Sequence, residues 1–304
     1  MTARLAGLPT TTARRVRGAV RDATLAASVH NSQPWRFVVS GSRVEVWLDP
    51  RSRPTVIDPD GRWTLESLGA AAANLELGLR CRLERPVRLD VLPGMDAPDV
   101  SRALRGPRRE SARTPVAIAS WGPSPEPATV LERNLHAAVG HRHTTRGPLY
   151  GELTVEDWNA LNYVVRSSPD DGSRLDSVRP DAAQTAVLLE ITAEVDKRWR
   201  DDAAYLAEME RWSHVRDGRG VPYGAYGPRD AAGRVAARDF SVGVLGDHDR
   251  PTDDYFEVSP QLLVITSASD DAPAWVRSGR AMQRAMLAAS ARGLGVGVLG
   301  QVVE

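Results

Sequence analysis

The segment from Leu65 to Leu83 sets the tightest limit on the fold. Leu65, Leu68, Ala72, Leu75, Leu79 and Leu83 recur at helical spacing, an apolar stripe of the kind that a helix turns toward a core. The stripe is long enough for a helix at the centre of the packing, so the other elements must be arranged around it. Before it, Val16, Val20, Ala23, Leu25 and Ala26 predict a helix between Thr12 and Ala27, interrupted by the polar run Ser28 to Gln33 and stopped by Pro34. Trp35 to Val39 and Val44 to Leu48 predict two strands around Gly41-Ser42, a glycine-first turn of the type II′ kind, and so a small hairpin rather than a long sheet.

After the central helix, Val87 to Leu92 alternates like a strand. The basic, Pro/Gly-rich stretch from Pro93 to Pro127 reads as loops with room for one short helix and one strand, a joint between halves. Helices are predicted from Ala128 to Val139, from Leu153 to Val165 with Thr154 as N-cap and Glu156 and Asp157 in its first turn, and from about Asp181 to Arg211. Residues 212–240 are irregular, rich in glycine and dotted with aromatics, and a loop of that length in a compact domain is typically a lid or binding loop. A buried strand from Gln261 to Thr266, a helix from Trp275 to Ala291 and a last strand from Val296 to Val303 complete the chain. A helix–strand–helix–strand order thus occurs twice, predicting an α+β chain of two related halves, 1–130 and 131–304.

Composition removes several functions. At 304 residues the chain is about twice the ~150 typical of one domain. Its 39 Lys and Arg balance 39 Asp and Glu, which removes the footprint of a general nucleic-acid or anionic-membrane binder. Cys81 is the one cysteine, excluding an internal disulfide and any multi-cysteine metal centre and fitting a reduced, cytoplasmic setting. The first twenty residues are too polar for a signal peptide, and no apolar run reaches the ~18 residues of a membrane helix.

Three segments could carry chemistry. Gly295-Val-Gly297-Val-Leu-Gly300 matches the dinucleotide pattern, yet that motif needs a following helix to hold pyrophosphate, and four residues follow Gly300. Ser28-Val-His30-Asn31-Ser-Gln33-Pro-Trp35 gathers hydrogen-bonding side chains at a helix end, suiting either the polar edge of a flat heteroaromatic ligand or plain capping and turn chemistry. His141-Arg142-His143-Thr144-Thr145-Arg146 offers two guanidinium groups and two hydroxyls, what a phosphate monoester needs, although a solvated basic loop would look the same. Two histidines without accompanying Cys, Asp or Glu spacing make no metal site, and Ser28 and His30 lack the elbow of a hydrolase nucleophile.

Taken together these segments resemble the FMN-dependent nitroreductase superfamily, most closely its actinobacterial Acg-like branch. Ser28-x-x-Asn31-x-Gln33-Pro34-Trp35 is similar to the family's P-S-x-x-N-x-Q-P-W segment, with Ala27 where proline is usual. Arg142-His143-Thr144-Thr145-Arg146 is similar to its R-R-S-x-R phosphate motif, with Thr144 for serine, and Gly293 to Gly300 resembles its G-L-G-T-C-W-I-G loop.

The resemblance implies a nitroreductase-like fold in which two halves of one chain imitate a dimer, with one flavin site kept. Arg142, His143, Thr144 and Arg146 would hold the FMN phosphate. Ser28, His30, Asn31 and Gln33 would meet the ring, and Leu299-Gly300 would pass its reactive face. A lid over about 211–240, with Trp212, Val221, Pro222 and Tyr223, would cover it. Implied with these are an oxidoreductase taking hydride from NAD(P)H to a small conjugated or aromatic acceptor, or else an FMN-storage protein with little turnover. The chain would be a pseudo-symmetric monomer or weak homodimer without nucleic-acid or membrane partners. Family members usually continue past the position of Glu304 through a helix and a strand whose basic residue helps hold the cofactor.

Overall fold

The computed structural model describes residues 8–93, 104, 115–167, 175–215, 218–228, 230–231, 254–257 and 259–303, with the side chain of Tyr223 outside that description. The parts of the expected lid at 216–217, 229 and 232–240, and residues 94–103 and 105–114 of the expected 93–127 joint, lie outside it as well.

Helix α1 (Thr10–Ala23) precedes the hairpin β1 (Trp35–Ser40) and β2 (Arg43–Leu48). The register pairs Ser40 with Arg43, and Gly41 takes φ +54°, the left-handed backbone that a glycine-first turn requires. The hairpin does not stand alone. Its second strand pairs with β4 (Ala117–Trp121), which pairs in turn with β3 (Val87–Val91), giving an antiparallel sheet of order β1-β2-β4-β3. The reading of a small hairpin is thus corrected. Val44 and Val46 are wholly buried, and β4 supplies the partner that a buried inner strand needs for its backbone groups.

Helix α2 (Arg62–Leu83) is the predicted central helix. Leu65, Leu68, Leu75 and Leu79 are at most 1% exposed, and Ala70 to Ala73 are buried on the remaining faces. Such a helix, buried nearly all round, needs neighbours on every side. One is α1, whose Ala19 lies against Gly78. Another is α7 (Ala272–Ala291). Between α2 and α7 stand α3 (Val130–Ala138), α4 (Val155–Arg166), β5 (Leu175–Val178), α5 (Ala182–Arg200), α6 (Ala203–Trp212) and β6 (Val264–Ser267). Strands β5 and β6 form a separate antiparallel pair. One apolar core joins α1, α2 and the four-stranded sheet, and a second joins α3, α4, β5 and α7.

The two long helices cross with backbones almost touching. A Cβ on Gly69 would lie 1.9 Å from the Val276 carbonyl oxygen, and one on Gly279 would lie 2.0 Å from the Glu66 carbonyl oxygen. Each glycine thus meets the carbonyl three residues before its counterpart, a reciprocal contact. Closeness there allows buried polar groups to meet: Arg280, 1% exposed, grips Glu76 at 2.8 Å, and Gln283 Nε2 donates to Asn74 Oδ1 at 3.0 Å.

Two further expectations are corrected. The helix expected from Asp181 to Arg211 is broken at Asp201-Asp202, because the Asp202 carboxylate accepts from the N–H groups of Ala204 and Tyr205 and starts a new helix. The last strand, Val296 to Val303, does not form. The Val296 carbonyl goes to Thr145 N–H and Gly300 N–H goes to its neighbour Gln301, so no ladder develops, and Gln301–Val303 closes as a single 3-10 turn.

The helix crossing yields a test. Gly69→Ala and Gly279→Ala should each lower unfolding free energy by about 2–3 kcal/mol or more, since a methyl cannot fit without moving a helix. Gly140→Ala, where nothing lies within 4 Å of the added atom, should stay within about 0.5 kcal/mol. Urea unfolding midpoints at constant slope would check this, and equal midpoints for all three would contradict the crossing.

Candidate cofactor site

The helix crossing positions the first functional segment. Asn74 Nδ2 donates to the Asp22 carbonyl, Gln283 donates to Asn74, and Gln283 Oε1 accepts the Ala27 N–H at 3.2 Å. Val29 N–H is held in turn by Ser67 Oγ on α2 at 3.1 Å. The chain leaving α1 is therefore pinned by both long helices before it reaches its polar run.

That run is strained. His30, Asn31 and Gln33 take φ of 47°, 50° and 47°, a left-handed backbone costing about 1–2 kcal/mol for each such residue. Ser28 caps the turn Val29–Asn31, and its Oγ accepts the Gln33 N–H at 3.1 Å. Strain of this kind persists where surrounding structure fixes it, commonly at functional sites. His30 Nε2 is buried without a partner among the described residues. Burial, opposed by Glu208 and assisted by Arg146, lowers the imidazole to about 4, so the ring is neutral near pH 7 and both charged groups lie within its electrostatic reach.

The second segment leaves the end of α3, with the N–H groups of His141 and Arg142 both on the Ala138 carbonyl. Arg142 reaches the Leu25 carbonyl at 3.4 Å and Thr144 Oγ1 at 3.5 Å, while its Nε is buried without a partner among the described residues. Burial holds the guanidinium groups of both Arg142 and Arg146 below their ordinary range. Arg146 donates to the Ala225 carbonyl at 2.9 Å and sits 6.0 Å from the Tyr226 ring centre. His143 is exposed, with Nδ1 near the His141 carbonyl.

Thr145, not singled out in the sequence, has its Oγ1 buried and without a partner among the described residues, facing the glycine loop at Gly295. Its only signal was its place inside the Arg/Thr cluster. At the other end of the loop, Gly300 lies against Trp63 of α2, where an added Cβ would come within 2.5 Å of the indole. The Gly300 N–H is engaged by Gln301.

Residues 203–215 and 218–226 pack against these segments and are firmly seated. Glu208 of α6, 6% exposed, accepts the backbone N–H groups of Thr55, Val56 and Ile57 at 2.7, 2.9 and 3.1 Å. Ile57, Tyr205, Met209, Val221 and Tyr226 make a small core of their own. Trp212 is buried with Nε1 unpartnered among the described residues, and its carbonyl accepts Val221 N–H at 2.7 Å. Pro222 leads into the turn Tyr223–Ala225. At the tip, Asn31 Nδ2 donates to the carbonyls of Gly220 and Gly218 at 2.9 and 3.3 Å, and Gln33 Nε2 donates to Gly218 at 2.6 Å. Gly220 needs its missing side chain: φ is +93°, and a Cβ would lie 2.8 Å from the Trp212 carbonyl oxygen. The amides expected to meet a ring are thus bonded to this covering segment, and nothing in the sequence marked Glu208 as its anchor.

Among the described residues no group of three or more His, Cys, Asp or Glu could hold a metal ion, and no helix is long and apolar enough to cross a membrane.

The strained 28–33 segment and the half-buried arginines at 142 and 146 thus approach one another, Arg146 within electrostatic reach of His30 and Arg142 bonded to the Leu25 carbonyl. No protein-family model matches the chain. Relatives do. Over 296 residues, 95% of this chain and 79% of the other, it is 26% identical to the uncharacterized protein Rv3127 of Mycobacterium tuberculosis. It is 25% identical over 297 residues to the same organism's "Putative NAD(P)H nitroreductase acg", covering 81% of that protein, and 27% identical over 302 residues to its "Putative NAD(P)H nitroreductase Rv3131", covering 75%. Over nearly its whole length the chain is thus similar to proteins named putative NAD(P)H nitroreductases.

The buried histidine gives a pH test. His30 moves from an ordinary 6.5 to about 4 on folding, so between those values the unfolded chain binds more protons than the folded one. Stability from this residue is complete above about pH 6.5 and falls, by up to about 3 kcal/mol, as pH drops toward 4. His30→Asn, which tolerates the same backbone, should lose less stability than wild type across that window in urea unfolding. Parallel curves would show that His30 does not titrate there.

Proposed function

We propose that the chain is an oxidoreductase of nitroreductase type that binds FMN between the 28–33 and 142–146 segments and takes electrons from NAD(P)H. The observation that carries this reading is the donor set: two desolvated guanidinium groups, with Arg142 Nε and Thr145 Oγ1 buried and unpartnered among the described residues. Arginine cannot shed its charge by losing a proton, and a phosphate monoester brings the negative charge and acceptor oxygens that this arrangement calls for. The fold, the motifs and the names of the relatives support the same class.

When bound, FMN supplies reversible hydride chemistry between the nicotinamide and a small conjugated or aromatic acceptor. The chain's part is to bind and orient. Arg142 and Arg146 neutralise the phosphate, with Thr144, Thr145 and the exposed His143 around it. Ser28 and His30 present polar groups to the ring, His30 as a neutral imidazole, while the Asn31 and Gln33 amides tie this segment to the lid through the Gly218 and Gly220 carbonyls. Gly300, with Leu299 before it, admits close backbone approach beside Trp63. Trp212, Val221 and Pro222, with Tyr223, form a lid that excludes water. No side chain is required as nucleophile or proton donor.

The reciprocal Gly69/Gly279 contact supports a pseudo-dimer of two related halves, about 1–130 and 131–304, with one cofactor per chain. It fits a monomer or weak homodimer in the cytoplasm.

FMN should bind the purified chain with quenching of its fluorescence. Arg142→Ala and Arg146→Ala should each weaken FMN at least about tenfold, the loss of a charge-assisted contact, while leaving riboflavin, which lacks the phosphate, nearly unchanged. Equal weakening of both flavins would remove the phosphate assignment. Bleaching of the yellow protein by NADPH or NADH without air supports the oxidoreductase; persistent colour marks a storage protein.

A further inference from the structure

A second constellation lies between α2, α3, α4 and α7, and the flavin reading does not use it. A cavity of about 170 Å³ is lined by Arg284, Ser167, Tyr163, Thr129, Glu76 and Glu132, with Leu77 and Leu131. Leu131 and Tyr163 also line a larger groove of about 630 Å³, whose other walls include Leu135, Ala138, Val164 and Ala288. Short side chains at Ala138, Ala160, Ala288 and Ala291 leave this gap between the helices.

Arg284 is 4% exposed, and its Nε is buried without a partner among the described residues. The two carboxylates beside it are already committed. Glu76 is bound by Arg280 at 2.8 and 3.0 Å, and Glu132 is bound by Arg80 at 2.9 and 3.2 Å and by Thr129 N–H at 2.7 Å. Glu126, which also pairs with Arg80, is 57% exposed and screened by solvent. Within the buried cluster Arg284 is therefore the odd charge. Burial pulls its guanidinium downward, yet arginine keeps its proton. Ser167 Oγ, buried and unpartnered among the described residues, lines the same cavity.

We propose that this constellation is a binding site for an organic monocarboxylate, its head on Arg284 and Ser167 and its apolar body along the groove of Leu135, Ala138, Val164 and Ala288. A single uncompensated positive charge matches one negative charge, and a buried charge left alone is costly. A dianion such as phosphate would bring a second charge against Glu76 and Glu132. A halide would leave the apolar groove unused. The cavity at Arg284 is too small for a flavin ring, so this site stands independently of the cofactor reading.

The test is the thermal midpoint of the full chain in sodium hexanoate, acetate or chloride at constant ionic strength, for wild type, Arg284→Met and Ser167→Ala. Hexanoate should raise the wild-type midpoint saturably, by several degrees, at lower concentration than acetate, while chloride produces no saturable rise. Arg284→Met should lose the response and, without carboxylate, melt at or above wild type, because an apolar side chain replaces a lone buried charge. Ser167→Ala should keep the response with several-fold weaker apparent affinity. The proposal is overturned if Arg284→Met retains the rise, or if it fails to fold or melts well below wild type, which would make Arg284 a structural partner. It also falls if chloride matches hexanoate, if the wild-type rise never saturates, or if Ser167→Ala binds as tightly as wild type.

Discussion

The contact between α2 and α7 underlies the rest of the molecule. Two glycines, Gly69 and Gly279, let one helix's backbone rest on the other's carbonyls, and each gives up helix propensity worth about 1 kcal/mol relative to alanine to do so. What they gain is reach. With the axes this close, Asn74 and Gln283 can join in the core, and their bond continues to Asp22 at one end and Ala27 at the other. The motif-bearing segment after α1 is therefore held in place by the crossing itself.

Arginines serve two purposes in this fold. Arg280 with Glu76, and Arg82 with Asp22 and its neighbour His136, are satisfied pairs that lock helices to one another. A desolvated pair such as Arg280 with Glu76 adds little net stability, but removing one member is costly. Arg142 differs: a carbonyl and a hydroxyl accept from it, and burial weakens rather than sustains its charge. A positive charge partly withdrawn from water, with an unpartnered Nε among the described residues, is better suited to an incoming anion than to holding the fold. This contrast, rather than the number of arginines, separates site from scaffold.

Much of this architecture was legible in the sequence because local rules agree with the global fold. The α2 stripe, the glycine-first hairpin and the Thr154 cap, whose hydroxyl accepts the Asp157 N–H at 3.1 Å, all form as read. What escaped depends on partners distant in the chain. The one strand expected between Pro93 and Pro127 takes a definite place only where β2 and β3 flank it as β4, and the expected strand at 296–303 finds no ladder among the described residues despite its valines. The break at Asp201-Asp202 turned on one side chain choosing to cap rather than face solvent. Glu208 looked like any acid on a helix until the loop at 55–57 was set against it.

The grip of Glu208 has a bearing on how such proteins diverge. It holds Thr55, Val56 and Ile57 mainly through their amide hydrogens, groups that every residue but proline carries. The loop can therefore drift in sequence under little constraint from this contact, while the acid opposite it cannot be exchanged for a neutral side chain without orphaning the amides. Among descendants of a common ancestor, the seat of the covering segment would leave a trace at a single column, beside a stretch that looks unconstrained.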